Sequence, residues 1–289
     1  MNPFDWRGPQ FLVFFVVLAI VVLIVTRVLR RRREMEEQGY RGTPIHDPYA
    51  IAFLRGGKHE LVRVGVVSLV DRGLLSVLGE RVVTTEVGRS TRVRRRIEQE
   101  LLTFCETPRE ATALFAPGVF DAVAGELEGE LTGMGLLPDE RTKAARWQLC
   151  RGAAAVLLFV SVTKIVVALS RGRTNIGLLI LFTVAALLLL RPVVLLGRTA
   201  RGDAFLEELK NLFRSLKLRA GQLRPGGATS EVAMLAAVWG VGALPAEGFG
   251  WRDHLFKKSA ANSGSSCGSS CGSGCGGGCG GGGCGGCGG

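Results

Sequence analysis

The chain has 289 residues, a net charge of +11 and eight cysteines. Three apolar runs and a glycine-rich end leave about 115 residues for a packed core, which allows one small folded domain and excludes a second. Six of the eight cysteines fall in the last 23 residues, so there is no dispersed disulfide framework of the secreted kind, and a reducing compartment fits better.

In chain order, residues 1–10 form a short external N-terminus, with Trp6 placed to anchor a helix end at a membrane interface. Residues 11–29 are the first transmembrane helix. A signal peptide carries its positive charges before the apolar run and a small-residue cleavage site after it. Here Arg27 and Arg30–Arg33 come after the run, which predicts an uncleaved anchor with its C-terminal end in the cytoplasm. A basic, charged linker follows over 30–46.

The stretch 47–147 reads as a cytoplasmic domain. Asp47 can cap and Pro48 suits a first helical position, so Pro48–Leu54 is expected as a short helix ended by Gly56-Gly57. A longer helix runs from His59 to Arg72, with Leu61, Val62, Val66, Leu69 and Val70 at near-helical spacing and Gly73 as the stop. Leu74–Leu78 and Arg81–Thr85 are β-prone around Gly79-Glu80 and predict a hairpin. Helix, helix, hairpin is the layout of a winged helix.

Asp47-Pro48-Tyr49, Ala52-Phe53-Leu54, Gly56-Gly57 and Arg72-Gly73-Leu74 resemble the core of the bacterial membrane proteins called the "near-uncomplex" family. The opening near Asn2-Pro3-Phe4, the three spans and the low-complexity end are similar too, so the resemblance covers nearly the whole chain. Ala50 departs from the acidic residue expected there. The resemblance implies a bacterial inner-membrane setting and no catalytic residues, because that family is uncharacterised.

The basic run Arg89, Arg92, Arg94, Arg95, Arg96 could contact phosphates. Glu60 and Asp71 flank the helix that would enter a DNA groove, so a protein or lipid contact, or a solvated face, is preferred to nucleic acid. Thr91–Cys105 is expected as a helix with Ile97, Leu101, Leu102 and Phe104 inside and Cys105 as a small buried hydrophobe. Thr107-Pro108-Arg109-Glu110 has capping-box spacing and predicts another helix start. Val119–Thr132 follows as a helix whose acids Asp121, Glu126, Glu128 and Glu130 form a solvated face rather than a catalytic set. Leu69–Leu75 and Leu131–Leu137 echo each other. Two related units or the common way helices end would both produce this, and the second is the plainer reading.

Residues 152–170 and 176–197 are the second and third transmembrane helices, joined by the tight loop Arg171–Asn175. Both flanking regions then face the cytoplasm, with Lys143, Arg146, Arg151, Arg198 and Arg201 on the inner side. Lys164 inside its span is expected to snorkel outward, since no span carries an acid to pair with it. Residues 203–219 read as a basic amphipathic helix lying along the inner membrane surface, where anionic lipid would meet it. Within 228–258, Ser230–Trp239 is a short helix packing on the domain or the membrane, followed by the loop Gly240–Trp251.

Residues 259–289 are glycine, serine and cysteine almost alone and should be disordered by themselves. The thiolates of Cys267, Cys271, Cys275, Cys279, Cys284 and Cys287 are the candidate ligands for Zn²⁺ or Cu(I), although only Cys284-x-x-Cys287 has a familiar chelating spacing. A low-complexity tether is preferred, and no cofactor is assigned. Gly264-Ser265-Ser266-Cys267-Gly268 lacks the strand and helix of a nucleophile elbow, and His59-Glu60 lacks the second histidine of a zinc-protease helix. The expectation is a mainly α membrane protein, not an enzyme, that acts through contacts with a protein partner. The alternative is metal binding or thiol-redox sensing through the cysteine-rich end, and a polar pocket of converging ionisable groups would revive an enzyme.

Overall fold

The computed structural model describes residues 8–36, 46–170, 177–195, 197–223, 226 and 230–256. Three apolar helices come first in importance: α1 (Gly8–Glu36), α6 (Glu140–Ser170) and α7 (Gly177–Leu195). Each buries one narrow stripe. On α1 it runs Phe11, Phe15, Ala19, Leu23, Thr26, Arg30, Glu34; on α6 Thr142, Arg146, Cys150, Ala153, Leu157, Ser161; on α7 Leu179, Thr183, Ala186, Leu190. Steps of three and four residues keep such a stripe on one helix face, so the three helices close on one another along a seam. Their other faces show bare hydrocarbon: Val13, Ile24, Phe159, Val166, Leu181 and Leu189 are all about half exposed or more. A continuous apolar coat of this kind suits lipid rather than water.

Two helices, over Gln10–Met35 and Glu140–Ser170, are long and apolar enough to cross a membrane. The third is apolar over the shorter Gly177–Arg191. At helical rise its 19 residues span about 28 Å, against a hydrocarbon core of about 30 Å. The helices also outrun the expected spans, because α1 continues through Arg30–Arg33 and α6 begins twelve residues before 152.

The folded module is built around α2 (Pro48–Asp71), in which Leu61, Val62, Val64, Val66, Val67 and Leu69 are fully buried. Asp47 caps it by accepting from the Tyr49 N–H, and Gly56 and Gly57 break it into the two expected helices; Gly57 sits at φ +68°, open to glycine at no steric cost. β1 (Leu75–Leu78) and β2 (Arg81–Thr84) pair antiparallel, Leu75 opposite Thr84. A third strand, β3 (Arg109–Glu110), pairs with β2 to complete a small antiparallel sheet in the order β1-β2-β3. This corrects the capping-box reading of 107–110, since pairing with Val82 and Arg81 outweighs a local helix preference there. A short α3 (Glu86–Ser90) stands before the expected 91–105 helix, which itself starts late, as α4, at Arg96 and runs to Phe104. Ile97, Leu101 and Leu102 do face inward. α5 (Asp121–Gly133) starts two residues late, behind Phe120 in a left-handed conformation at φ +58°.

The core is wider than the 47–147 stretch. α8 (Ala200–Leu212), α9 (Arg214–Leu218) and α10 (Glu231–Trp239) all enter the same apolar cluster as α2, Leu235, Ala236, Ala237 and Val238 with no exposed surface. α10 therefore packs on the module, not on a membrane. The amphipathic segment 203–219 is corrected likewise: it bends at Phe213, and Leu206, Leu209 and Leu216 turn into the core with Phe205 and Phe213 beside them. Burying such side chains is worth about 1.5–3 kcal/mol each, more than lying half-immersed in headgroups returns. Only Leu212 and Leu218 stand out from it. The expected loop 240–251 carries a 3₁₀ turn and the short α11 (Ala246–Phe249), with α12 (Trp251–Leu255) closing over Arg63 through Phe256.

Candidate functional site

Among the described residues, Glu60 joins Arg55 and Arg63 on α2, and ionisable groups from separate elements converge at two further places. The first is a cleft of about 820 Å³ between the two ends of the α2 region, α4 and the start of α10. Tyr49, one residue into α2, is carried inward by the Asp47–Pro48 cap. Its hydroxyl donates to Glu98 Oε1 at 2.5 Å and lies 3.1 Å from Ser68 Oγ, nineteen residues on. Arg72 Nη1 reaches the same Glu98 oxygen at 2.9 Å, and Arg95 pairs with Asp47 at 3.0 Å. Asp71 Oδ1 accepts the Gly226 N–H at 3.0 Å. Burial, reinforced by the Glu98 carboxylate, pushes the Tyr49 phenol above its ordinary value. Burial likewise raises the Asp47 and Asp71 carboxyls, against the pull of Arg95 on the first and of the Gly226 N–H on the second.

In this cleft Tyr49 and Arg72 meet on Glu98, Arg95 pairs with Asp47, and Asp71 holds a backbone N–H. A phenol held protonated and bonded to a buried carboxylate is a poor base, and that carboxylate is itself neutralised by Arg72. What the arrangement does is tie α4 across both ends of α2.

The second place lies where the apolar bundle meets the module. Glu34, 4% exposed in its side chain, receives Arg30 Nε at 2.9 Å and Arg146 Nε at 2.7 Å. Its other oxygen accepts the Ala200 N–H at 2.7 Å. Arg146, 2% exposed, donates from Nη2 to the Arg198 carbonyl at 2.7 Å, and Arg201 Nη2 donates to the Met35 carbonyl at 2.6 Å. The end of α1, the start of α6 and the start of α8 are thus locked by one carboxylate. Because α8 points its N-terminus at Glu34, the helix dipole adds to the attraction.

Of the residues singled out in the sequence, the candidate metal ligands Cys267, Cys271, Cys275, Cys279, Cys284 and Cys287 lie outside the described residues. Cys105 and Cys150 are buried free thiols, and burial pushes Cys105 up to about 12. No group of three or more His, Cys, Asp or Glu among the described residues is placed to hold a metal. The basic run is largely committed to acids: Arg89 to Glu86, Arg95 to Asp47 and Arg96 to Glu126 and Glu100, with Arg92 and Arg94 exposed. Glu126, Glu128 and Glu130 are exposed, as is Asp121, which bonds Lys58. The Lys164 ammonium sits 4.5 Å from the centroid of the Phe11 ring, near the N-terminal end of α1. The sequence pattern places Glu34 in a charged linker with Glu36 and Glu37 close behind it, and so misses it altogether.

No family model, no curated protein and no solved structure matches this chain.

Proposed function

We propose that this protein is a membrane-anchored interaction or regulatory protein that works through protein contacts of its folded module, without enzymatic chemistry. The observation that carries the reading is the Glu34 joint, which fixes the module to the apolar helices as one body. A loosely tethered enzyme has no need of such a joint, whereas a part that must hold a surface at a set height and angle over a membrane does.

In this reading all three apolar helices cross the bilayer, the short N-terminus lies outside, and the module and C-terminus face the cytoplasm of a bacterial inner membrane. The exposed Arg27, Arg31, Arg32 and Arg33 at one end of α1 and the exposed Lys143 and Arg151 on α6 support that orientation and supply contacts for anionic lipid. Trp147, 59% exposed between them, is placed as an interfacial aromatic. The resemblance to the "near-uncomplex" proteins and a winged-helix character of the α2–hairpin region belong to the same proposal.

Photo-crosslinking residues at Leu78, Val87 and Leu218, apolar side chains 59–81% exposed, test it in living cells. Adducts of discrete protein mass are expected from at least one position; adducts to lipid alone would contradict the reading.

A further inference from the structure

Two segments far apart in the chain build the same local structure bond for bond. At the end of α2, Leu74 N bonds Leu69 O at 2.8 Å and Gly73 N bonds Val70 O at 3.0 Å; at the end of α5, Leu136 N bonds Leu131 O at 3.0 Å and Gly135 N bonds Thr132 O at 2.9 Å. The glycines sit at φ +70° and +75°. Each is a helix stop of the Schellman type, with a leucine turned into the core behind the glycine.

A helix stop by itself is common. A threonine that comes back to clasp it is not. In the first unit Thr85 returns to that stop: its N–H donates to Leu74 O at 3.0 Å, and its hydroxyl lies 2.8 Å from Gly73 O and 3.1 Å from Leu74 O. In the second unit Thr199 does the same, at 3.2 Å from its N–H to Leu136 O and 2.9 and 3.0 Å from its hydroxyl to Gly135 O and Leu136 O. Thr85 caps α3 by accepting from Gly88 N at 3.1 Å, and Thr199 caps α8 by accepting from Gly202 N at 3.1 Å. A side chain on Gly88 would place its Cβ 2.3 Å from Leu74 O, and one on Gly202 would place it 2.4 Å from Leu136 O. Both threonines have ψ 166°. The sequences agree as Leu-x-x-x-Gly-Leu-Leu and then Thr-x-x-Gly.

The units differ in what is strung between leucine and threonine. In the first it is the β1–β2 hairpin; in the second it is α6 and α7. We propose that the module consists of two equivalent helix–hairpin–helix units, and that the apolar helical hairpin is an insert standing where the second unit's β-hairpin would be. The insert enters and leaves through a single clasp, Leu136 to Thr199. Motion that parts α6 from α7 at their base pulls on that clasp and uncaps α8, whose apolar face lies in the core. The clasp is therefore the route by which a change in the bundle reaches the module, beside the Glu34 joint.

The test replaces residues 138–198 of the full chain by a copy of 76–84, with Arg30→Leu and Glu34→Leu included so that no buried charge is left without its partner. The expected product unfolds in one cooperative transition and shows the Thr85 and Thr199 amides slowed in hydrogen exchange to within about tenfold of each other. In parallel, Gly88→Ala and Gly202→Ala in the otherwise unaltered chain in micelles are each expected to speed exchange of their own threonine amide by about tenfold or more. A replaced chain that does not fold, or a Gly202→Ala chain with unchanged Thr199 exchange, overturns the proposal.

Discussion

Glu34 on the first apolar helix accepts the backbone N–H of Ala200 at 2.7 Å, across 166 positions of chain. The same carboxylate holds Arg30 and Arg146. An acid so placed is costly to desolvate and is retained only where every lone pair is used.

Replacing Glu34 by Leu leaves two arginines buried without their counter-charge. The expected loss is about 3–5 kcal/mol of stability, the cost of breaking a buried pair from one side. The triple variant Arg30→Leu, Glu34→Leu, Arg146→Leu should recover most of it. Thermal unfolding in micelles reads both; a single variant as stable as the parent would show the joint to be idle.

Tyr49→Phe keeps the ring in place and removes the proton donated to buried Glu98. A cost of about 1–3 kcal/mol follows from an acceptor left short of a partner. Denaturant titration at neutral pH measures it, and no change in midpoint would mean that Arg72 alone satisfies Glu98.

Asp71 gives a pH signature. Burial raises its carboxyl above the ordinary 3.8, so the folded chain binds the proton more readily than the unfolded one. Stability from this group is present below 3.8 and is lost as pH rises through the higher folded value. Asp71→Asn, which keeps an acceptor for the Gly226 N–H, should therefore melt higher than the parent at neutral pH. The gap should shrink as pH falls through that window. A gap that widens on acidification would contradict the burial argument.

Cys105, pushed up to about 12 by burial, is a thiol at pH 8. In a chain whose other cysteines are serine, iodoacetamide should label it only on unfolding. Between the ordinary 9.0 and about 12, the unfolded chain ionises first at this thiol, so stability falls with rising pH, and Cys105→Ala should lessen that fall, most clearly below the ordinary phenol value of 10.0, where the raised Tyr49 does not yet contribute. Rapid labelling of the native chain would show the site to be open.

Much of the fold was legible because local chemistry decides it. Asp47-Pro48 capping, the Gly56-Gly57 break and the β1–β2 turn all follow from residues a few positions apart, and the apolar runs announce their helices by length. Arg109-Glu110 misled because a capping box and an edge strand share the same few residues, and only the distant Val82 settles which forms. The segment 203–219 misled because an amphipathic face does not say whether protein or lipid covers it. The Thr85 and Thr199 clasps escaped because the two Thr-x-x-Gly segments stand at unequal distances from their leucines, the second beyond a long helical hairpin. Glu34 escaped because its partners come from Arg146 and Ala200, which no local pattern brings near.

The joint between the apolar bundle and the module is tested most directly by the exchange rate of one amide. In the native chain in micelles, the Ala200 N–H should be strongly protected, and Glu34→Leu should release it while the Thr85 amide, held by the first clasp, stays protected. An Ala200 amide that exchanges freely in the unaltered protein would mean that the anchor and the module are not one body.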